Sequence, residues 1–268
     1  MALSLFESWM AEHPDWSDER VVRAIARDLV EEGEAEPPVD VELLASLCGI
    51  AEIEVRPEGP SGMLVRRDQG WVASVLEKDG YERRRFTILH EGGHTFMPDF
   101  KRGETQYRCK GSRSRVEHLC DIAAAEMLLP ARHFRRDLVD AGFGMGAVEE
   151  LSERYEASLQ ATALRAVDLA PSPVMLLVLE RTHKPREAGR EHECEPQLRL
   201  QWAHSQGEWP FPLRHKSVTA SSVLSRAWDD RIQMMDSVDD VLAGSAGPVE
   251  VSAGRYGDKL LALVRRAS

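Results

Sequence analysis

Arg85-Phe86-Thr87-Ile88-Leu89-His90-Glu91-Gly92-Gly93-His94 is the stretch whose reading decides what this chain can be. Phe86, Leu89, Gly93 and, just beyond, Met97 recur at helical spacing and share a face with His90, so the spacing predicts a helix over 85–96. At 3.6 residues per turn His90 and His94, four apart, point the same way, and both imidazoles reach a single Zn2+. Glu91 stands beside them, placed to take a proton from water at that ion. Two ligands and a general base therefore lie within one short segment. The competing reading is an ordinary amphipathic helix with surface histidines, and the apolar face that carries both histidines toward a core weighs against it.

A catalytic zinc usually has about three protein ligands and one open position, so a third ligand is expected elsewhere. The next predicted helix, 114–129, closed by Pro130, offers Glu117 and Asp121 four apart on one face. Glu117 is placed to bind the metal and Asp121 to accept a hydrogen bond from a ligating imidazole, fixing its tautomer. Glu126 competes as a ligand, although Ala123, Ala124, Ala125, Met127 and Leu128 around it mark a packed part of the helix. Glu117 also admits a plainer reading as a solvent-facing helical acid. Cys109, in Arg108-Cys109-Lys110-Gly111, lies on the segment joining the two helices, where its thiolate is a candidate fourth, inhibitory ligand; the alternative is an exposed, unligated thiol. Cys48 and Cys120 fall on apolar helical faces and are expected to pack as small hydrophobes.

Outward from this centre, 268 residues allow one large or two small domains, and 43% hydrophobic with 29% charged residues exclude a mainly disordered or fibrous chain. The longest clear apolar run, Val174 to Leu179, is far too short to span a bilayer, and the acidic N-terminus lacks the pattern of a secretory leader. No membrane association and a cytoplasmic location are expected. Four cysteines without a C-x-x-C pair make no disulfide framework. A net charge of −11 argues against a surface that grips nucleic acid all over. Tyr81 to Arg115 is the exception, with nine Lys or Arg against four acids, a local balance of +5. Within it Arg102, Arg108, Lys110, Arg113 and Arg115, with Tyr107 for stacking, form a candidate single-stranded nucleic-acid patch; the alternative is a solvated loop.

Further elements are predicted as helices over 17–32 and 41–47, strands over 53–56, 62–66 and 70–76, and three helices between 131 and 169. In the last of these Ser158 is the cap, with Gln160, Thr162 and Arg165 outward, an arrangement similar to a helix-turn-helix. Acidic neighbours at 149, 150, 153 and 156 make packing or substrate docking the better use for it than groove binding. Pro171 and Pro173 mark a boundary, after which strands and one helix, 220–228, read as a separate α+β unit.

The 85–94 stretch, then Glu117-x-x-x-Asp121 running into Ala124-Ala125-Glu126-Met127-Leu128-Leu129-Pro130, resembles the ImmA/IrrE family of zinc metallopeptidases over roughly residues 38–170. Val39 to Ala45, Gly49-Ile50 and Ser61-Gly62 are similar to the lead-in of that family; Gly92-Gly93 departs from it, since a bulkier residue usually precedes the final glycine. The resemblance implies a fold of α+β class: a zincin-like metallopeptidase core of helices and a small sheet over 1–130, a helical HTH-like segment over 131–170, and a C-terminal α+β, GAF-like sensor domain over 171–268. It implies a gluzincin-like site with His90, His94 and Glu117 on Zn2+ and Glu91 as base. The implied substrate is a cognate helix-turn-helix repressor whose cleavage derepresses a stress, DNA-damage or phage-defence operon, and the C-terminal unit is similar to that of CapP-type proteases. Latency imposed by Cys109 and relief by single-stranded DNA are the associated expectations. The rival from another class is a DNA-binding transcription regulator with a structural zinc site.

Overall fold

The computed structural model describes residues 3–97, 106–107, 115–187, 189, 192, 194–209, 214–219, 222–230, 234–238 and 249–266. The chain separates into two compact units, Met1–Phe134 with Glu153–Ser158, and Arg135–Ser152 with Leu159–Ser268.

The first unit begins with α1 (Leu5–Glu12), started by a capping box in which Ser4 Oγ accepts from the Glu7 N–H and the Glu7 carboxylate accepts from the Ser4 N–H. α2 (Asp18–Glu32), capped by Ser17, buries Val21, Val22, Ile25, Ala26, Leu29 and Val30, the stripe that its 3.6 period predicts. α3 (Val41–Leu47) is capped by Asp40. Strands β1 (Ile50–Arg56), β2 (Gly62–Arg67) and β3 (Gly70–Leu76) follow, then α4 (Tyr81–His94), β4 (Gln106–Tyr107) and α5 (Arg115–Leu128). The sheet order is β1-β3-β2-β4, parallel between β1 and β3 and antiparallel elsewhere. α4 begins four residues before its predicted start and is covered nearly all round: Arg85, Thr87, Ile88, Leu89, Glu91, Gly92, Gly93 and His94 are all buried. A helix so enclosed shows only part of its contact surface as an apolar stripe.

After α5 come α6 (Ala131–Ala141), α7 (Met145–Tyr155) and α8 (Leu159–Leu169). The second unit holds a five-stranded antiparallel sheet built from β5 (Val174–Thr182), β6 (Gln197–Gln206), β7 (Met234–Val238), β8 (Val249–Tyr256) and β9 (Lys259–Arg266), in the order β6-β5-β9-β8-β7. β5 is apolar on both faces because both are covered. Met175, Leu177 and Leu179 pack with α9 (Val223–Asp230), while Val174, Leu176 and Val178 pack with Met145, Val148, Ala163 and Val167 of the helices. The architecture is α+β. Among the described residues no helix is long and apolar enough to cross a membrane.

Candidate metal centre

Two glycines let α4 sit close to its neighbours. A Cβ on Gly93 would stand 3.1 Å from Cα of Cys120 on α5, and one on Gly92 would stand 3.0 Å from Sγ of Cys48 beside α3. The Gly92-Gly93 pair is thus where two other helical segments press on α4, and backbone approach at Gly93 leaves no room for a side chain.

This closeness brings three donors together. Glu117, in the first turn of α5, places Oε2 3.3 Å from His90 Nε2 and Oε1 3.6 Å from His94 Nε2. One donor atom from each residue lies within 4.8 Å of the other two, and among the described residues this is the one such group of three. Behind the donors, His90 Nδ1 lies 3.0 Å from Asp121 Oδ1, and His94 Nδ1 lies 3.3 Å from Cys120 Sγ. Each imidazole therefore turns Nε2 toward Glu117 and has a partner at Nδ1 that can hold the Nδ1–H tautomer. Two imidazole nitrogens and a carboxylate, with the outer nitrogens backed in this way, are the donor set that Zn2+ takes in an open site, so the residues present fit that ion.

The same burial sets the protonation states. His94, 1% exposed, has its imidazole pulled down to about 4 by burial, with His90 adding to the shift and Glu117 and Asp121 opposing it, so it is neutral and able to ligate near pH 7. Glu91, 4% exposed, is pushed up to about 7 by burial. Glu117 adds to that shift, while His90 and Arg56 oppose it.

Glu126 lies elsewhere. Nine residues from Glu117, it is turned roughly 180° round a helix of about 3.6 residues per turn, and it meets Arg27 Nε at 3.0 Å and Arg23 Nη1 at 3.6 Å on α2. Asp121, by contrast, shares the Glu117 face. The part played by Cys120 was not visible from its apolar surroundings; the signal was its position three residues after Glu117, on the same side of α5. Cys48 is buried, and its thiol is pushed up to about 12 by that burial.

Of the basic patch, Arg115 forms an ion pair with Asp18 of α2. Arg102, Arg108, Lys110 and Arg113, with Cys109, lie outside the described residues, and Tyr107 is described only through its backbone pairing with Leu64. On α8, Thr162 and Arg165 were expected outward but are 0% and 2% exposed. The buried residues of that helix, Thr162, Ala163, Arg165, Ala166, Val167 and Leu169, spread over more than half of its circumference, so polar identity did not mark an outer face.

A helix carrying two histidines and a carboxylate, faced by an acid on the next helix and set against a small sheet, is an arrangement suited to a metallopeptidase-type site. Residues 70–167 match the family described as the IrrE N-terminal-like domain, and over that stretch the chain is similar to that family. The radiation response metalloprotease IrrE of Deinococcus radiodurans is 31% identical over 116 residues, which is 42% of this chain and 35% of that protein. The chain thus matches about a third of the length of this relative. A solved structure of a Mycobacterium tuberculosis transcriptional regulator superposes with a TM-score of 0.59 over 99% of this chain and 81% of the other, at 12% identity. At that identity the likeness concerns the fold alone.

Proposed function

We propose that this chain is a zinc-dependent endopeptidase that cleaves a helix-turn-helix transcriptional repressor and so derepresses a stress, DNA-damage or phage-defence operon. The observation that carries the reading is the meeting of His90, His94 and Glu117 beside a buried Glu91. Zn2+ held by those three residues would supply a Lewis acid that polarises a peptide carbonyl and acidifies water. Glu91, buried beside His90, would take the proton from the attacking water and pass it to the leaving nitrogen. Asp121 and Cys120 hold the imidazoles in orientation from behind. The likeness to a protein named as a radiation response metalloprotease supports a peptidase that acts in a stress response.

In this reading residues 1–130 form the zincin-like peptidase, 131–170 a helical HTH-like segment for substrate docking, and 171–268 a GAF-like sensor, in a cytoplasmic protein. Cys109, between α4 and α5, would hold the enzyme latent as a fourth ligand, and single-stranded DNA bound by Arg102, Arg108, Lys110 and Arg113 would draw it away; the local charge of +5 supports an anionic trigger. Arg115 contributes less, since Asp18 already pairs with it. The rival, a DNA-binding regulator with structural zinc, loses two of the side chains on which groove reading by α8 would depend, because Thr162 and Arg165 are buried.

The test uses as candidate substrate any helix-turn-helix protein that a neighbouring gene encodes. Zinc-loaded parent protein should cut it into two fragments, Glu91→Gln should bind zinc and leave it whole, and Cys109→Ser should cut faster than the parent without DNA. Equal cleavage by parent and Glu91→Gln would overturn the peptidase reading.

A further inference from the structure

Gly62 opens β2 and pairs with Val75 of β3, and α4 lies against it. A Cβ built on Gly62 would stand 2.2 Å from Glu91 Oε1 and 2.6 Å from Thr87 Cγ2, both far inside van der Waals contact. Gly62 is not among the glycines with positive φ, so an alanine would meet no backbone penalty there, and the need for glycine is one of space. The far wall is fixed: Thr87 is buried and its Oγ1 donates to the Arg83 carbonyl at 2.9 Å. A cation stands at the entrance. The Arg56 guanidinium donates to the carbonyls of Glu58 and Pro60 at 3.4 and 3.3 Å, just ahead of Gly62, and its Nε is buried without a hydrogen-bond partner among the described residues.

We infer that Gly62 is a positioning residue for Glu91: the side chain it lacks is the slot that holds the base's carboxylate between β2 and α4. The slot holds Glu91 against the strand and beside the two histidines. Any larger residue at 62 displaces the carboxylate, while the three metal donors, which lie on other positions of α4 and α5, stay in place. The inference rests on the peptidase reading for its effect on rate but not for the slot itself.

The test compares full-length parent, Gly62→Ala, Glu91→Gln and the double variant, with Ser61→Ala, one residue before β2, as a control. Gly62→Ala should keep parental zinc content and lower kcat on the repressor at least about tenfold with KM within about twofold, as expected where the base is misplaced and not the substrate. Added to Glu91→Gln it should cost nothing further, because both act through one carboxylate, and Ser61→Ala should resemble the parent. Parental kcat in Gly62→Ala overturns the inference. Crystal structures of the zinc-loaded parent and of Gly62→Ala decide the matter without any activity: the Glu91 carboxylate should touch Gly62 Cα in the parent and be displaced in the variant. A parent Glu91 turned away from Gly62 overturns it, including where Gly62→Ala does not fold or no cleavage is found.

Discussion

Glu126→Gln distinguishes a strut from a ligand. The Glu126 side chain is fully buried, while Arg27 and Arg23 opposite are 52% and 28% exposed. Its Oε1 accepts from Arg27 Nε at 3.0 Å and from the Ala131 N–H, at the start of α6, at 3.4 Å. Glutamine keeps the volume and one acceptor, so the loss is the charge assistance of the arginine contacts. A hydrogen bond to a charged group is worth about 1.5–3 kcal/mol, and half-exposed arginines recover part of that in water, leaving about 1–2 kcal/mol. At about 2–4 °C per kcal/mol for a chain of this size, Tm should fall by about 2–8 °C. Zinc should stay, because Glu126 faces away from the histidines. Glu117→Gln should do the reverse: metal-free Tm near that of the parent, and zinc affinity lowered by more than the roughly 10–100-fold typical of an outer-sphere change. Calorimetry on chelator-treated protein, paired with metal analysis after dialysis against a zinc buffer, reads both quantities. Zinc lost in Glu126→Gln and kept in Glu117→Gln would refute the assignment.

Three further outcomes follow from the geometry. Asp121→Asn, which disturbs the partner of His90 Nδ1, should weaken zinc binding by about 10–100-fold in chelator competition, and unchanged affinity would remove Asp121 from the centre. His204, 2.7 Å from Asp168, is raised above 6.5 by that hydrogen bond, with burial opposing. Its contribution is therefore full below the unfolded value and disappears as pH rises through the folded one. His204→Ala should cost about 0.2–1 kcal/mol at pH near 6 and almost nothing near pH 9 for so exposed a pair, and a cost that grew with pH would contradict the sign. The buried Cys48 thiol should resist iodoacetamide in the native protein while exposed Cys194 reacts; labelling at equal rates would contradict the packing around Gly92.

Local signals carried much of this structure. Val21, Val22, Ile25 and Leu29 predicted α2, and the histidine spacing with the Glu117 and Asp121 pair predicted which residues would meet, because a helix fixes those directions by itself. Helix angle also separates Glu117 from Glu126, although composition alone had left both open. What escaped depends on contacts between elements. α1 buries no residue and so is not marked by a core-facing stripe, although Ser4 and Glu7 form its capping box. The short strands β4 and β7 lack alternation of their own and arise by pairing with β2 and β8. Thr162 and Arg165 look like surface residues until the helix is seen to be covered over a wide arc. Cys120 and Gly62 acquire roles only once α5 and β2 are packed against α4, since neither an apolar thiol nor a strand-opening glycine announces what it will touch.

The central claim is that one Zn2+ is held by His90, His94 and Glu117, with Glu91 beside it and not on it. Crystals of the zinc-loaded protein, measured on either side of the zinc absorption edge, test this most directly. The account predicts one strong anomalous peak about 2.0–2.2 Å from Nε2 of both histidines and from a Glu117 oxygen, retained in Glu91→Gln and lost in His94→Ala. A peak ligated by Glu126, or the absence of any peak at His90 and His94, would contradict it.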